Sequence, residues 1–75
     1  MVSTYRLKKD YTLSEIRKEL PIENRMCWYF ISEIVILNVT ITIDEYNTIT
    51  KIYARNAQDL QYFKQLFLIF YEKVS

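Results

Sequence analysis

The sequence predicts an α+β fold: one small two-layer domain over residues 1–75, ordered β-α-β-β-β-α, with a C-terminal amphipathic helix packed on one face of an antiparallel sheet. Three observations carry this. Thr12-Leu13-Ser14-Glu15 has the pattern of a capping box and opens a short helix that Pro21 must end. From Met26 to Tyr53 the chain is β-branched and aromatic, broken only by short polar segments. After Asn56 the apolar residues recur at helical spacing up to the C-terminus.

Taken in order, Val2–Leu7 alternates and reads as a first strand. In the helix that follows, Leu13, Ile16 and Leu20 share a narrow face, and Tyr11 and Ile16 hold the two positions of a hydrophobic staple. The helix stops near Leu20 because the residue before a proline is pushed out of the helical region. Ile22–Arg25 reads as a loop. The eighteen residues from Met26 to Ile43 are too many for one strand of about five or six. The polar pair Ser32-Glu33 divides them into Met26–Ile31 and Ile34–Ile43, as a tight turn or a bulge. Ile34–Ile43 has no Pro, Lys or Arg to guard an open edge, which places it centrally.

Asp44-Glu45-Tyr46-Asn47 has the composition of a hairpin loop, and Thr48–Tyr53 returns as a strand. The chain has no glycine, so left-handed backbone falls to asparagine, with Asn24 and Asn47 as the candidates. Asn56 caps the last helix, Asp59 suits its positive end, and the helix is expected to run from Ala57 to Lys73. On a wheel, Leu60, Phe63, Phe67, Phe70, Tyr71 and Val74 share one side, and Tyr62, Leu66 and Ile69 widen it. The apolar arc is roughly 200°, twice the ~100° stripe that covers one core face. Leu68 falls on the wet side with Gln61, Gln65 and Glu72.

Composition excludes several function classes. Cys27 is the only cysteine and there is no histidine, so neither an internal disulfide nor a zinc site of four Cys or His ligands is available. Without glycine there is no dinucleotide fingerprint and no Walker loop, and no cofactor is expected. A net charge of +1 is far from that of a nucleic-acid binder, although residues 1–25 carry six basic groups against four acidic. Cys27–Ile43 is apolar enough to suggest a membrane span. However, Glu33 near its middle would cost about 2.5–3.5 kcal/mol there, and the second half alternates like a strand. No signal peptide is visible at the N-terminus, so the expectation is a cytoplasmic protein, of a host cell if viral. Abundant Ile, Tyr, Phe, Asn and Lys with scarce Ala, Gly and Pro suit an AT-rich coding sequence, such as that of a low-GC bacterium or of a virus or mobile element living in one.

The candidate sites follow. Cys27, between Met26 and Trp28 and with no histidine to activate it, is expected to be a buried inert thiol. Glu15 and Glu19 interleave with Arg17 and Lys18 as ordinary solvated helix surface. Asp44 and Glu45 are turn residues that, with Tyr46, also offer an acidic contact to a basic partner. Arg6, Lys8 and Lys9, beside Tyr5 and Tyr11, are the best candidates for phosphate contacts, with Arg17 a possible addition. The α-β-β-β-α order after Tyr11 is shared with double-stranded RNA-binding domains, but Asn56-Ala57-Gln58-Asp59 opens the last helix without a lysine cluster. The wide arc of that helix is the preferred feature: its second flank, Tyr62, Leu66, Leu68 and Ile69, is expected to meet another chain. The combined reading is a non-enzymatic protein-binding module, a small regulator or inhibitor of the kind a phage or mobile element encodes. Its partner would be another protein or a second copy as a homodimer, with no small-molecule substrate. The alternative is a small nucleic-acid-binding protein using the basic N-terminal segment.

Overall fold

Residues 3–74, which the computed structural model of the chain describes, form a six-stranded antiparallel sheet with helices against one face. The elements are β1 (Tyr5–Leu7), α1 (Leu13–Glu19), β2 (Ile22–Cys27), β3 (Ser32–Ile36), β4 (Val39–Ile43), β5 (Ile49–Ala54), α2 (Ala57–Leu66) and β6 (Tyr71–Lys73), with a 3-10 turn at Leu68–Phe70 between the last two. The strand order is β2-β3-β4-β5-β1-β6. The α+β class, with the C-terminal helix packed on an antiparallel sheet, is as the sequence predicts; the sheet has six strands instead of four. Val2, the first residue of the expected opening strand, lies outside the described residues.

One face of the sheet is built by alternation. Ile34 and Ile36 of β3, Val39, Ile41 and Ile43 of β4, and Ile49 of β5 are all buried, and Phe63 and Phe67 of α2 close over them with Tyr71. The three rings stack in sequence, with centroids 5.2 Å and 5.3 Å apart. From α1, Leu13 and Ile16 join the same cluster. The other face carries Glu33, Thr40, Thr42, Lys51 and Tyr53 and is open to solvent.

The α1 cap forms with a variation. Thr12 Oγ1 accepts from the Glu15 N–H (3.3 Å), while its own hydroxyl donates to Glu15 Oε1 (3.0 Å). Tyr11 meets Phe70 edge to face, with centroids 4.9 Å apart. Leu20 is extended ahead of Pro21, as the proline requires.

Ile22–Arg25, expected as a loop, belongs to β2, which pairs with β3 from Ile22↔Ile36 to Cys27↔Ser32 around a bulge between Asn24 and Met26. Asn24 is therefore an extended strand residue and not left-handed. The expected strand Met26–Ile31 ends at Cys27, and its remainder is the hairpin tip. Ser32-Glu33 lies inside β3 and not at a break, since Glu33 faces the wet side where a charge is tolerated. The break in Ile34–Ile43 comes instead at Leu37-Asn38, both at positive φ (51° and 64°), as a two-residue hairpin turn demands. Both resulting strands are interior, as expected of that segment. Asn47 is left-handed as expected, with φ 62°.

The last helix does not reach Lys73. It ends at Leu66, and the chain turns through Leu68–Phe70 so that Tyr71–Lys73 pairs with β1, Leu7↔Tyr71 through Tyr5↔Lys73. No Gly or Pro marks this stop. The outer edge of β1 would otherwise be bare, and Phe70-Tyr71 are good strand residues, so tertiary pairing overrides the helical period. The apolar arc of roughly 200° thus superimposes two elements on one wheel. Leu68 and Phe70 reach the core from the turn and not from a helix face.

The hydroxyl of Tyr71 is buried without a hydrogen-bond partner among the described residues. Burial, with a lesser contribution from the Asp44 charge, pushes its pKa up to about 12 from an ordinary 10.0. A raised folded pKa leaves stability intact below pH ~10 and removes it as pH climbs toward 12. Tyr71→Phe removes an unsatisfied group whose burial costs on the order of 1–3 kcal/mol. The variant is expected to be at least as stable as the parent in urea at pH 7, and to lose less stability between pH 10 and 12.

Candidate functional site

Three connections converge at one end of the sheet: the β2–β3 tip, the β4–β5 loop and the end of β1. The register Ser32↔Ile43 puts the first two side by side, and Ile43↔Ile49↔Tyr5 carries the same edge across to β1. Neighbouring strands lie about 4.8 Å apart, so the tip and the adjacent loop are separated by only about two strand spacings.

The tip is a two-residue loop, Tyr29-Phe30, closed by backbone hydrogen bonds from Trp28 N to Ile31 O (2.6 Å) and from Ile31 N to Trp28 O (3.4 Å). Trp28 is 67% exposed, Tyr29 92%, Phe30 57% and Ile31 49%, and Met26 and Cys27 below them are exposed too. Tyr29 and Phe30 lie edge to face, with centroids 4.8 Å apart. Neither takes positive φ, so the loop lacks the primed turn whose twist suits a hairpin, and for which Asn-Gly would be the ordinary choice. Two bulky aromatics thus occupy positions that turn chemistry alone would not give them.

Beside the tip, Asp44 holds its own loop together: Oδ1 accepts from the N–H groups of Tyr46 and Thr48, each at 2.9 Å. This carboxylate is committed to the turn, while Glu45 and Tyr46 remain exposed. Lys8 and Lys9, at the end of β1, are exposed as well. Of the other basic candidates, Arg6 donates to Glu72 Oε1 from Nε (3.1 Å) and Nη2 (2.7 Å), an ion pair across β1 and β6. Arg17 lies on α1 and donates to Asn24 Oδ1. The four cations therefore make no single field. Tyr62 and Leu66 share an exposed flank of α2, Ile69 is exposed in the turn beyond it, and Leu68 is half-buried. Tyr62 lies toward the opposite end of the sheet, beside Asn38, whereas Ile69 precedes Phe70, whose carbonyl accepts from the Lys8 N–H (3.0 Å). Glu45 and Tyr46 are thus in the loop next to the tip, and Lys8 and Lys9 are at the same end of the sheet but beyond that loop, on β1.

Cys27 is exposed, not buried. It pairs with Ser32 at the last rung of β2–β3, where the wide, solvated tip cannot cover it. Ser32 Oγ lies 3.4 Å from its Sγ, and Asn24 Nδ2 donates to the sulfur at 3.5 Å. Hydrogen bonds from Ser32 and then Asn24 hold the thiol below its ordinary pKa, with a smaller contribution from the Arg17 charge. Among the described residues no three metal-ligating side chains gather.

Comparison with protein-family models, curated proteins and solved structures finds no match to this chain.

The tip residues are the ones that sequence reasoning places wrongly, as a strand. A signal was present: Met26–Ile31 is apolar at every position, without alternation. A two-layer domain covers only one sheet face, so such a run must expose half its side chains or leave the sheet.

The Cys27 environment has a direct readout. The midpoint of iodoacetamide alkylation against pH is expected to lie below that of a free cysteine peptide and to rise in Ser32→Ala. An unchanged midpoint in that variant would remove Ser32 as the cause.

Proposed function

We propose that the chain is a non-enzymatic protein-binding module that docks through its β2–β3 hairpin, consistent with a small regulator or inhibitor of the kind a phage or mobile element encodes. The observation that carries this is the contiguous exposure of Trp28, Tyr29, Phe30 and Ile31. Single exposed apolar residues are normal, but a contiguous patch marks a contact surface. Burying one such side chain is worth about 1.5–3 kcal/mol, which folding alone forgoes here. Trp and Tyr are also the residue types that dominate binding hot spots.

Local charge favours a protein over a nucleic acid as partner. Lys8, Lys9 and Arg25 on this part of the molecule stand against Asp10, Asp44 and Glu45. Arg6 and Arg17 are engaged within the fold. A phosphate-binding surface needs an uncompensated field, and an apolar tip at an end of the sheet that carries both signs suits a protein interface better.

The test is a pull-down from nuclease-treated native-host lysate, comparing the wild type with Trp28→Ser/Phe30→Ser and with Tyr62→Lys on the helix flank. The tip variant is expected to lose captured protein at least about tenfold, as hot-spot truncations do, with unchanged far-UV circular dichroism. Tyr62→Lys is expected to capture as the wild type does. Equal capture by the tip variant would sink the proposal. Release of the captured material by nuclease, with binding that falls as salt rises, would turn attention to Lys8 and Lys9.

A further inference from the structure

We infer that a cleft along the outer edge of β5 binds an amphipathic anion, an apolar body carrying one phosphate or carboxylate. The site is separate from the β2–β3 tip and goes beyond the docking role proposed above.

The cleft exists because the sheet is incomplete there. β5 meets β1 at one rung, Tyr5↔Ile49. Over residues 51–54 it pairs with β4 on one side, and no strand among the described residues takes the other. The start of α2 lines this stretch, as do Ser3 and Tyr5. The space between them is about 700 Å³. Sites for small molecules are ordinarily clefts of roughly 300–1,000 Å³, mostly apolar, with a few polar groups that orient the ligand.

The floor of the cleft is apolar. Tyr5, Ile52 and Ala54 in the sheet and Leu60 on α2 pack against the core cluster and are still only half-buried. The edge of the core is therefore left unsealed, and an apolar body laid on it gains in proportion to the area it covers.

The charge in the cleft is of one sign. Lys51 reaches it from the open face of the sheet and Lys64 from α2, on the covered face. Neither makes an ion pair among the described residues, and no carboxylate lines the cleft. Glu33 shares a cross-strand row with Lys51 but stands two strands off, beyond Thr42. Asp59 is held in the cap of α2, where Asn56 Nδ2 donates to its Oδ2 (3.2 Å). Two cations in a cleft with low-dielectric walls concentrate a positive potential, and an anion is its counterpart. Ala57, the first residue of α2, also lines the space, and a helix start favours negative charge. Both halves of the ligand follow: a bare anion leaves the floor wet, and a neutral body leaves the lysines unmatched.

The test is an amide NMR titration of the whole chain with laurate below its micelle concentration, with adenosine monophosphate and with inorganic phosphate. Laurate, the nucleotide or both are expected to saturate, shifting residues 51–54 with Ala57, Leu60 and Lys64. Their dissociation constants are expected at least about tenfold below that of phosphate, which cannot cover the floor. Saturation by laurate alone makes the ligand an alkyl acid, and by the nucleotide alone a nucleotide. Lys51→Gln and Lys64→Gln are each expected to weaken binding about tenfold, the size of one lost charge-assisted contact. Ala57→Glu puts a carboxylate into the cleft where a helix start favours it. It is expected to abolish binding without lowering the melting temperature. Trp28→Ser/Phe30→Ser is expected to bind as the wild type does. The inference is overturned if neither amphipathic probe saturates, if phosphate alone binds as tightly, if the shifts fall at the tip, or if both lysine variants bind unchanged. The docking reading stands or falls separately, by the pull-down.

Discussion

Everything in this chain depends on covering one aliphatic face of a sheet. An internal disulfide and a zinc site of four Cys or His ligands are both ruled out by composition, and a domain of 75 residues is near the size at which such supports are usually needed. The burden falls on Ile34, Ile36, Val39, Ile41, Ile43 and Ile49, pressed beneath Phe63, Phe67 and Tyr71. Because these are β-branched and alternate strictly, they specify both the register and the side that α2 covers. The opposite face can then be wet, which is why Glu33, Thr42 and Lys51 are tolerated within the sheet. The helix–sheet seam also explains the trapped Tyr71 hydroxyl. Its ring completes the aromatic row, and the oxygen is carried into a place where no described residue offers it a hydrogen bond.

Much of this was legible in the sequence, and what was missed has identifiable causes. The first helix could be read because its signals are local: Thr12 caps, Leu13 and Ile16 face inward, and Pro21 stops it. The Asn47 loop and the Asn56 cap are of the same kind. The β3–β4 hairpin was missed although a signal existed. Buried positions fall on even numbers at Ile34 and Ile36 and on odd numbers at Val39, Ile41 and Ile43. A regular strand cannot change parity, so a turn or a bulge had to lie between Ile36 and Val39. The end of α2 is different in kind. Phe63, Phe67 and Tyr71 keep helical spacing through it, and only the need of β1 for a partner, a non-local demand, ends the helix. For the site, sequence reasoning found Glu45, Tyr46, Lys8 and Lys9 singly, but not the tip at the same end of the sheet. Aromatic residues in a turn contradict the rule that loops are polar, and such contradictions tend to mark function.

The hairpin and the core stand in a useful relation. The tip residues belong to no part of the buried cluster, so they are free to be chosen for contact and not for stability. The bulge at Arg25 adds twist just below the loop, where an unprimed turn would otherwise splay the strands. A chain this small has little surface to spare, and it places its longest contiguous exposed apolar run, Met26–Ile31, at one extremity of the sheet.

The closing of the sheet by β1 and β6 has a mechanical meaning. The N–H of Val74 donates to the Thr4 carbonyl (2.8 Å), and the two strands run antiparallel from there toward the aromatic end. Tension applied at these two neighbouring points would act on the rungs one after another, as on a zipper, and not shear them all at once. The clasp would give way at low force, and the β2–β5 meander would be left to bear the load. The same geometry sets orientation: a tether or bead attached beside Thr4 or Val74 leaves from the end opposite Trp28, with the hairpin turned outward into solution.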